Sequence, residues 1–207
     1  MSSRIITLPN LLTMFRMVLI PVFVSFLFYQ KFGWALAVFM VAGVTDGLDG
    51  LLARRFDQKS QLGTILDPIA DKLLLVTSFI VLSMPSLSPQ PVPRHFPVPF
   101  WVTAAVISRD IFIIVGAAAI NIVTGFKGFR PSWLGKLNTA IQILAIAAIL
   151  VAASIPRVSG YLPTVYTTVF AFAIFSGIHY VYFASRLLNE DRRQGEEVSP
   201  GNGNPFS

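Results

Sequence analysis

The stretch DGLDGLLARRFDQKSQLGTILDPIADK, residues 46–72, holds five of the chain's ten acidic residues, although it lies between two long apolar runs. Asp46 and Asp49 are three residues apart, and Asp67 and Asp71 are four apart. Both spacings put two side chains on one face of a helix. We therefore predict two helices that return antiparallel and bring four carboxylates together. Carboxylates in or beside membrane helices are costly and usually functional.

The composition of the whole chain is typical of a membrane protein. Of its 207 residues, 54% are hydrophobic and 13% are charged, and the mean hydropathy is +0.68. A soluble domain carries about 25% charged residues. The absence of cysteine excludes disulfides and thiolate metal sites. The net charge of +6 is spread over short loops, which favours an anionic membrane surface over nucleic acid as the partner.

Six apolar segments approach the ~20 residues that a helix needs to cross a bilayer. We predict an all-α, polytopic protein with six transmembrane helices. Their predicted bounds are about 8–29, 33–52, 67–84, 98–121, 133–153 and 163–186. The six helices form one domain, residues 5–186. The remainder, residues 187–207, is polar and bears Gly and Pro, so we predict a disordered cytoplasmic tail.

The distribution of basic residues predicts the orientation of the chain. Of the 16 Lys and Arg, 12 fall on the side of the N-terminus, three fall on the opposite side, and Arg109 lies inside a helix. Positive loops stay in the cytoplasm. Both termini and the acidic window are therefore predicted to face the cytoplasm from the inner or plasma membrane.

The acidic window has the chemistry of a divalent-metal site. Four carboxylates near a low-dielectric layer repel one another and need a positive partner. Mg²⁺ or Mn²⁺ suits oxygen ligands, and two such ions can clamp a diphosphate during an in-line displacement. Gly50 and Gly63 allow close approach of a ligand, and Arg54 offers a guanidinium to phosphate. The alternative is a set of ordinary solvated charges, which suits Arg55 and Lys59.

The window also resembles the signature of the CDP-alcohol phosphatidyltransferase family, D-x2-D-G-x2-A-R-x8-G-x3-D-x3-D. Every spacing is matched, and the fixed positions are Asp46, Asp49, Gly50, Ala53, Arg54, Gly63, Asp67 and Asp71. The six-helix plan extends the resemblance to about residues 5–186. The resemblance implies transfer of a phosphatidyl group from CDP-diacylglycerol to an alcohol, with release of CMP, by a homodimer.

The same resemblance implies roles for individual residues. Asp71 is the general base and forms the catalytic pair with Asp67. The metal ligands, for two Mg²⁺ or Mn²⁺ ions, are Asp46, Asp49, Asp67 and Asp71. The contacts to the CDP part of the donor are Asn10, Thr13, Asp49, Gly50, Arg54, Ser60 and Gly63. For Asn10 and Thr13 helix capping is the alternative, and Arg16 either anchors the chain or lines the cavity.

Three basic residues are candidates for binding the acceptor: Arg109, Arg130 and Lys136. Arg109 lies deep in the fourth predicted helix, where it either binds an anionic group of the acceptor or forms an interhelical ion pair. Its neighbour Asp110 points in another direction on a helix, so the two need not pair.

Two branches of the family fit the acceptor region. The branch that uses glycerol 3-phosphate commonly has Arg-Glu in this helix and a second arginine eight residues later, whereas this chain has Arg109-Asp110 and Ala117. The branch that makes cardiolipin from phosphatidylglycerol is more similar to the "SRD" and "GKLNTAIQ" stretches. Glycerol 3-phosphate leads because its branch is the more widespread, and phosphatidylglycerol is the alternative.

A cation or proton transporter is the alternative from another class, since buried carboxylates also line ion paths. A transport path needs polar groups across the whole membrane, whereas the four motif aspartates lie at one side. A membrane prenyltransferase would also use aspartates and magnesium, but its motifs are more compact and occur twice.

Overall fold

The computed structural model describes residues 8–55, 61–124 and 133–198. Within these ranges the regular structure is entirely helical, so the all-α prediction is confirmed. The six α-helices are α1 Leu8–Phe28, α2 Phe32–Arg55, α3 Gln61–Leu82, α4 Phe100–Thr124, α5 Trp133–Ser154 and α6 Leu162–Val198. Short 3₁₀ helices, Pro85–Leu87 and Pro156–Tyr161, lie in the connections.

The turn between α1 and α2 follows from a hydrogen-bonded helix end. Gln30 has φ of 55°, and its N–H donates to the Leu27 carbonyl at 3.0 Å. The N–H of Lys31 donates to the Phe26 carbonyl at 2.8 Å. This pair of bonds closes a helix with a left-handed residue and reverses the chain. The two helices therefore run antiparallel.

Two helix bounds differ from the prediction. α3 begins at Gln61, so Pro68 lies inside the helix rather than in its first turn. α6 continues to Val198, whereas the sixth predicted helix ended near residue 186. This segment is rich in Leu, Arg and Glu, which extend a helix readily in water once a long apolar helix precedes them. Residues 199–207 lie outside the described part. The disordered cytoplasmic tail, residues 187–207, stays a prediction.

The chain is an integral membrane protein. In the described residues, four stretches are long and apolar enough to cross a bilayer: Leu11–Phe28, Phe100–Ala118, Trp133–Ser154 and Pro156–Tyr182. A shorter apolar stretch, Phe32–Gly47, lies in α2. The count of six spans therefore stays a prediction.

The packing brings the acidic window between neighbouring helices. α1 contacts α2 and α3, while α5 contacts α2, α3 and α6, and α4 packs mainly on α6. Phe23, Phe39, Phe79 and Ile149 fill the interior. Contacts of Arg16 with Asp46 and Asp71 bring the beginnings of α1 and α3 to the end of α2. Gly33 of α2 lies near Ser154 of α5, so these two helices are antiparallel and α5 also begins at this end. We name this the acidic end of the bundle.

Candidate active site

One buried guanidinium joins three helices at the acidic end. The Arg16 side chain, on α1, is only 1% exposed, and its Nη2 lies 2.9 Å from Oδ1 of Asp46 on α2. Its Nη1 contacts Oδ1 of Asp71 on α3. A buried charge is tolerated when it is paired and hydrogen-bonded. The positions of Asp46 and Asp71 are thus tied to each other through Arg16.

A second contact from the same face of α1 reaches the other aspartate of α3. Thr13 is fully buried and donates its hydroxyl hydrogen to Oδ1 of Asp67. Thr13 and Arg16 are three residues apart, and Asp67 and Asp71 are four apart, so each pair lies on one helix face. Thr13 lies beyond the first turn of α1, so its hydroxyl bonds across helices rather than capping α1.

Asp46 and Asp71 remain open to a ligand. Their side chains are 41% and 36% exposed, although each contacts the buried guanidinium of Arg16. One side of the pair therefore faces the interior, and the other faces solvent. This arrangement orients the carboxylates without enclosing them.

Several predicted donor-site residues fall where side chains are not described. Asp49, Gly50 and Arg54 lie in the last turns of α2, and Asn10 and Gly63 lie in the first turn of α1 and α3. The side chains of these residues are outside the described part of the chain. Ser60 lies wholly outside the described residues.

A charged network lies beside the aspartates. Nζ of Lys72 is 2.7 Å from Oδ2 of Asp110, and Nη1 of Arg109 is 2.8 Å from Oδ1 of the same carboxylate. Arg109 also donates to Ser176 Oγ, from Nη2 at 2.6 Å and from Nε at 3.2 Å. The network connects α3, α4 and α6, and the neighbours Arg109 and Asp110 do pair.

The other predicted acceptor residues are placed differently. Lys136 is exposed on α5, and Arg130 lies outside the described residues. Sequence reasoning left Arg16 ambiguous and counted Lys72 only toward the topology. The sequence does carry a signal for Lys72, namely its position directly after the second aspartate pair. Ser176 gave no signal, since an isolated serine in an apolar helix is common.

The donor set is chemically suited to a hard divalent cation. Three of the motif aspartates are described, and two of them already share one positive group. Across the described ranges, no three His, Cys, Asp or Glu side chains gather closely enough to hold an ion, and the Asp49 side chain is outside those ranges. Carboxylate oxygens without histidine or thiolate favour Mg²⁺ or Mn²⁺.

Comparison with known proteins agrees with the motif. The sequence profile of the CDP-alcohol phosphatidyltransferases matches residues 6–179. A CDP-diacylglycerol–glycerol-3-phosphate 3-phosphatidyltransferase of Blochmanniella floridana is 33% identical over 191 residues, covering 89% of this chain and 94% of that protein.

Relatives from two branches are similar to the chain at comparable identity. A probable phosphatidylglycerophosphate synthase of Mycobacterium tuberculosis is 34% identical over 204 residues, covering 92% of this chain and 88% of that protein. A cardiolipin synthase (CMP-forming) of Rattus norvegicus is 36% identical over 162 residues, covering 70% of this chain and 50% of that protein. The chain belongs to the CDP-alcohol phosphatidyltransferase family and is an enzyme of that class.

Proposed function

We propose that the protein transfers the phosphatidyl group of CDP-diacylglycerol to glycerol 3-phosphate and releases CMP. The observation that carries the proposal is the contact of one buried guanidinium, that of Arg16, with Asp46 and Asp71. These aspartates belong to the two halves of the family motif and come from different helices. Their convergence brings carboxylates of both motif halves together, where bound divalent ions would hold the diphosphate.

In this reaction the acceptor hydroxyl oxygen attacks the phosphorus that carries the diacylglycerol. The bond from that phosphorus to the bridging oxygen breaks, and CMP leaves with the electron pair. Asp71 accepts the proton of the hydroxyl. Arg16 holds the Asp71 carboxylate from its buried side, and Thr13 holds Asp67 in the same way, so that both face the substrates.

The motif aspartates are also the proposed ligands of two Mg²⁺ or Mn²⁺ ions: Asp46, Asp49, Asp67 and Asp71. When bound, the ions neutralise the diphosphate and stabilise its charge during displacement. The donor nucleotide lies at the acidic end, against Asn10, Thr13, Asp49, Gly50, Arg54, Ser60 and Gly63. In this proposal the chain crosses the membrane six times, has a cytoplasmic active site and works as a homodimer.

The proposed acceptor site uses Arg109, Arg130 and Lys136 to bind the acceptor phosphate. Phosphatidylglycerol is the second candidate acceptor, because one structural observation favours it. Arg109 and Lys72 share the Asp110 carboxylate, so this network keeps one net positive charge, which is less than a phosphate dianion carries. A phosphodiester carries a single negative charge and needs less compensation.

The test offers each acceptor separately to the purified protein with CDP-diacylglycerol and Mg²⁺, and identifies the lipid products by mass spectrometry. Phosphatidylglycerophosphate is expected with glycerol 3-phosphate, and cardiolipin as the main product would move the assignment to the second candidate. A folded preparation that releases CMP with neither acceptor would refute the proposed function.

A further inference from the structure

Two carboxamides in α5 are buried without partners. Asn138 and Gln142 are fully buried, and neither the oxygen nor the nitrogen of either amide has a hydrogen-bond partner in the described part of the chain. A buried polar group left unpaired destabilises the folded state, because it loses its hydrogen bonds to water. Folded proteins retain few such groups, and each calls for a reason, such as a ligand or a water.

The two amides lie on the face of α5 that packs into the bundle. The buried residues of α5 are Asn138, Gln142, Ala145, Ile146, Ile149, Leu150, Ala152 and Ala153. They recur every three or four residues and so form one stripe. Asn138 and Gln142 are four residues apart at the acidic end of this stripe, whereas Lys136 lies on the exposed side.

The position of the two amides along the bundle axis follows from a contact between α2 and α5 at the opposite end of the bundle. A methyl group placed on Gly33 of α2 would lie 4.0 Å from the Ser154 hydroxyl of α5. At about 1.5 Å per residue, Asp46 and Gln142 each lie ~18–20 Å from that contact. Gln142 is therefore level with Asp46, and Asn138 lies one turn nearer to the acidic end.

The chemistry of the pair selects its ligand. A carboxamide is neutral and offers both donors and an acceptor. A phosphate is better matched by arginine or lysine, whereas an alcohol hydroxyl both donates and accepts one bond. Two adjacent carboxamides therefore match two adjacent hydroxyls. A glycerol unit with a primary and a neighbouring secondary hydroxyl has this arrangement, and glycerol 3-phosphate and phosphatidylglycerol both contain it.

We propose that Asn138 and Gln142 form a binding site for the two neighbouring hydroxyls of the acceptor's glycerol unit, level with the aspartates. This inference rests on the proposed function and names the part of the acceptor that the site recognises. The two amides determine which hydroxyl of the acceptor attacks. The basic residues of the proposed acceptor site bind its phosphate.

The test uses acceptors that lack the secondary hydroxyl. For wild-type protein, 3-hydroxypropyl phosphate is expected to give a kcat/KM about tenfold or more below that of glycerol 3-phosphate, since the amides stay partly unpaired. A parallel arm compares phosphatidylglycerol with phosphatidyl-1,3-propanediol, so the two sources of the diol are distinguished. Gln142→Met and Asn138→Leu keep side-chain size and remove the hydrogen-bonding groups.

Each variant is expected to lose about tenfold in kcat/KM for the natural acceptor, to keep the KM for CDP-diacylglycerol, and to lose the preference for the secondary hydroxyl. Because the amides have no hydrogen-bond partner among the described residues, the thermal unfolding midpoint of each variant should equal or exceed that of wild type. Ile146→Val, one turn further along the same stripe, is the matched control and should leave the preference intact.

The outcomes separate this inference from the proposed function. Active variants that retain the wild-type preference would overturn the diol site and leave the transferase assignment standing. A Gln142→Met protein that fails to fold would also overturn it, because the amide would then serve the structure. No transfer to any acceptor by folded wild type would instead overturn the proposed function.

Discussion

Replacing Arg16 tests the arrangement of the site most directly, because this residue contacts carboxylates from two helices. Arg16→Gln removes two charge-assisted contacts, each worth about 1.5–3 kcal/mol when buried. The partner side chains are 41% and 36% exposed, so water replaces part of the loss. We expect a net loss of about 2 kcal/mol in the free energy of unfolding.

The expected loss of activity is larger than the loss of stability. Without the guanidinium, the Asp71 carboxylate loses the contact that orients it, and a displacement of about 1 Å from the acceptor hydroxyl can cost ~100-fold in rate. Arg16→Lys keeps the charge but lacks the planar fork that contacts both carboxylates, so we expect a loss of about tenfold. The assay is CMP release at saturating Mg²⁺ and CDP-diacylglycerol, with thermal unfolding in detergent as the companion measurement.

A matched control is Arg157→Gln, since Arg157 is an exposed arginine in the connection between α5 and α6. It should leave CMP release and the unfolding midpoint close to the wild-type values. If Arg16→Gln also retained near-normal turnover and stability, the aspartates would not depend on Arg16, and the reasoning from the buried contact would be wrong.

Three further predictions address the rest of the site. Asp71→Asn should abolish CMP release while the protein still folds, because the amide cannot accept the acceptor's proton; near-normal turnover would remove Asp71 from the mechanism. Exhaustive chelation should abolish CMP release and added Mg²⁺ or Mn²⁺ should restore it, whereas full activity after chelation would contradict the metal role. Asp110→Asn should destabilise the protein by about 3 kcal/mol in denaturant unfolding, because Lys72 and Arg109 lose their shared partner. Ser159→Ala, in the connection between α5 and α6, is its control, and an equal effect of both would contradict the importance of the network.

Local patterns in the sequence predicted much of the fold and the composition of the site. The apolar run lengths gave the helices because the bilayer sets that length, and the motif spacing indicated the family. Local sequence patterns could not predict which charged side chains form ion pairs with each other. Asp110 accepts from both Arg109 and Lys72 because α3 and α4 pack closely there, and no sequence period encodes that approach.

The sequence also could not predict that the buried Asn138 amide lacks hydrogen-bond partners in the described part of the chain. A polar residue near the start of an apolar helix is ordinary, and its lack of hydrogen bonds depends on every helix packed around it. The length of α6 was missed for a different reason, since polarity was taken to indicate disorder although the residues concerned favour helix.

The buried Arg16 also has a consequence for biogenesis. Arg16 is translated before the side chains that neutralise it, which follow 30 and 55 residues later, at Asp46 and Asp71. Until then, the guanidinium is a charge on an apolar helix, which disfavours insertion unless the side chain reaches toward the headgroups. Nascent chains stopped before Asp46 should therefore remain easier to extract from the membrane than chains that extend past Asp71.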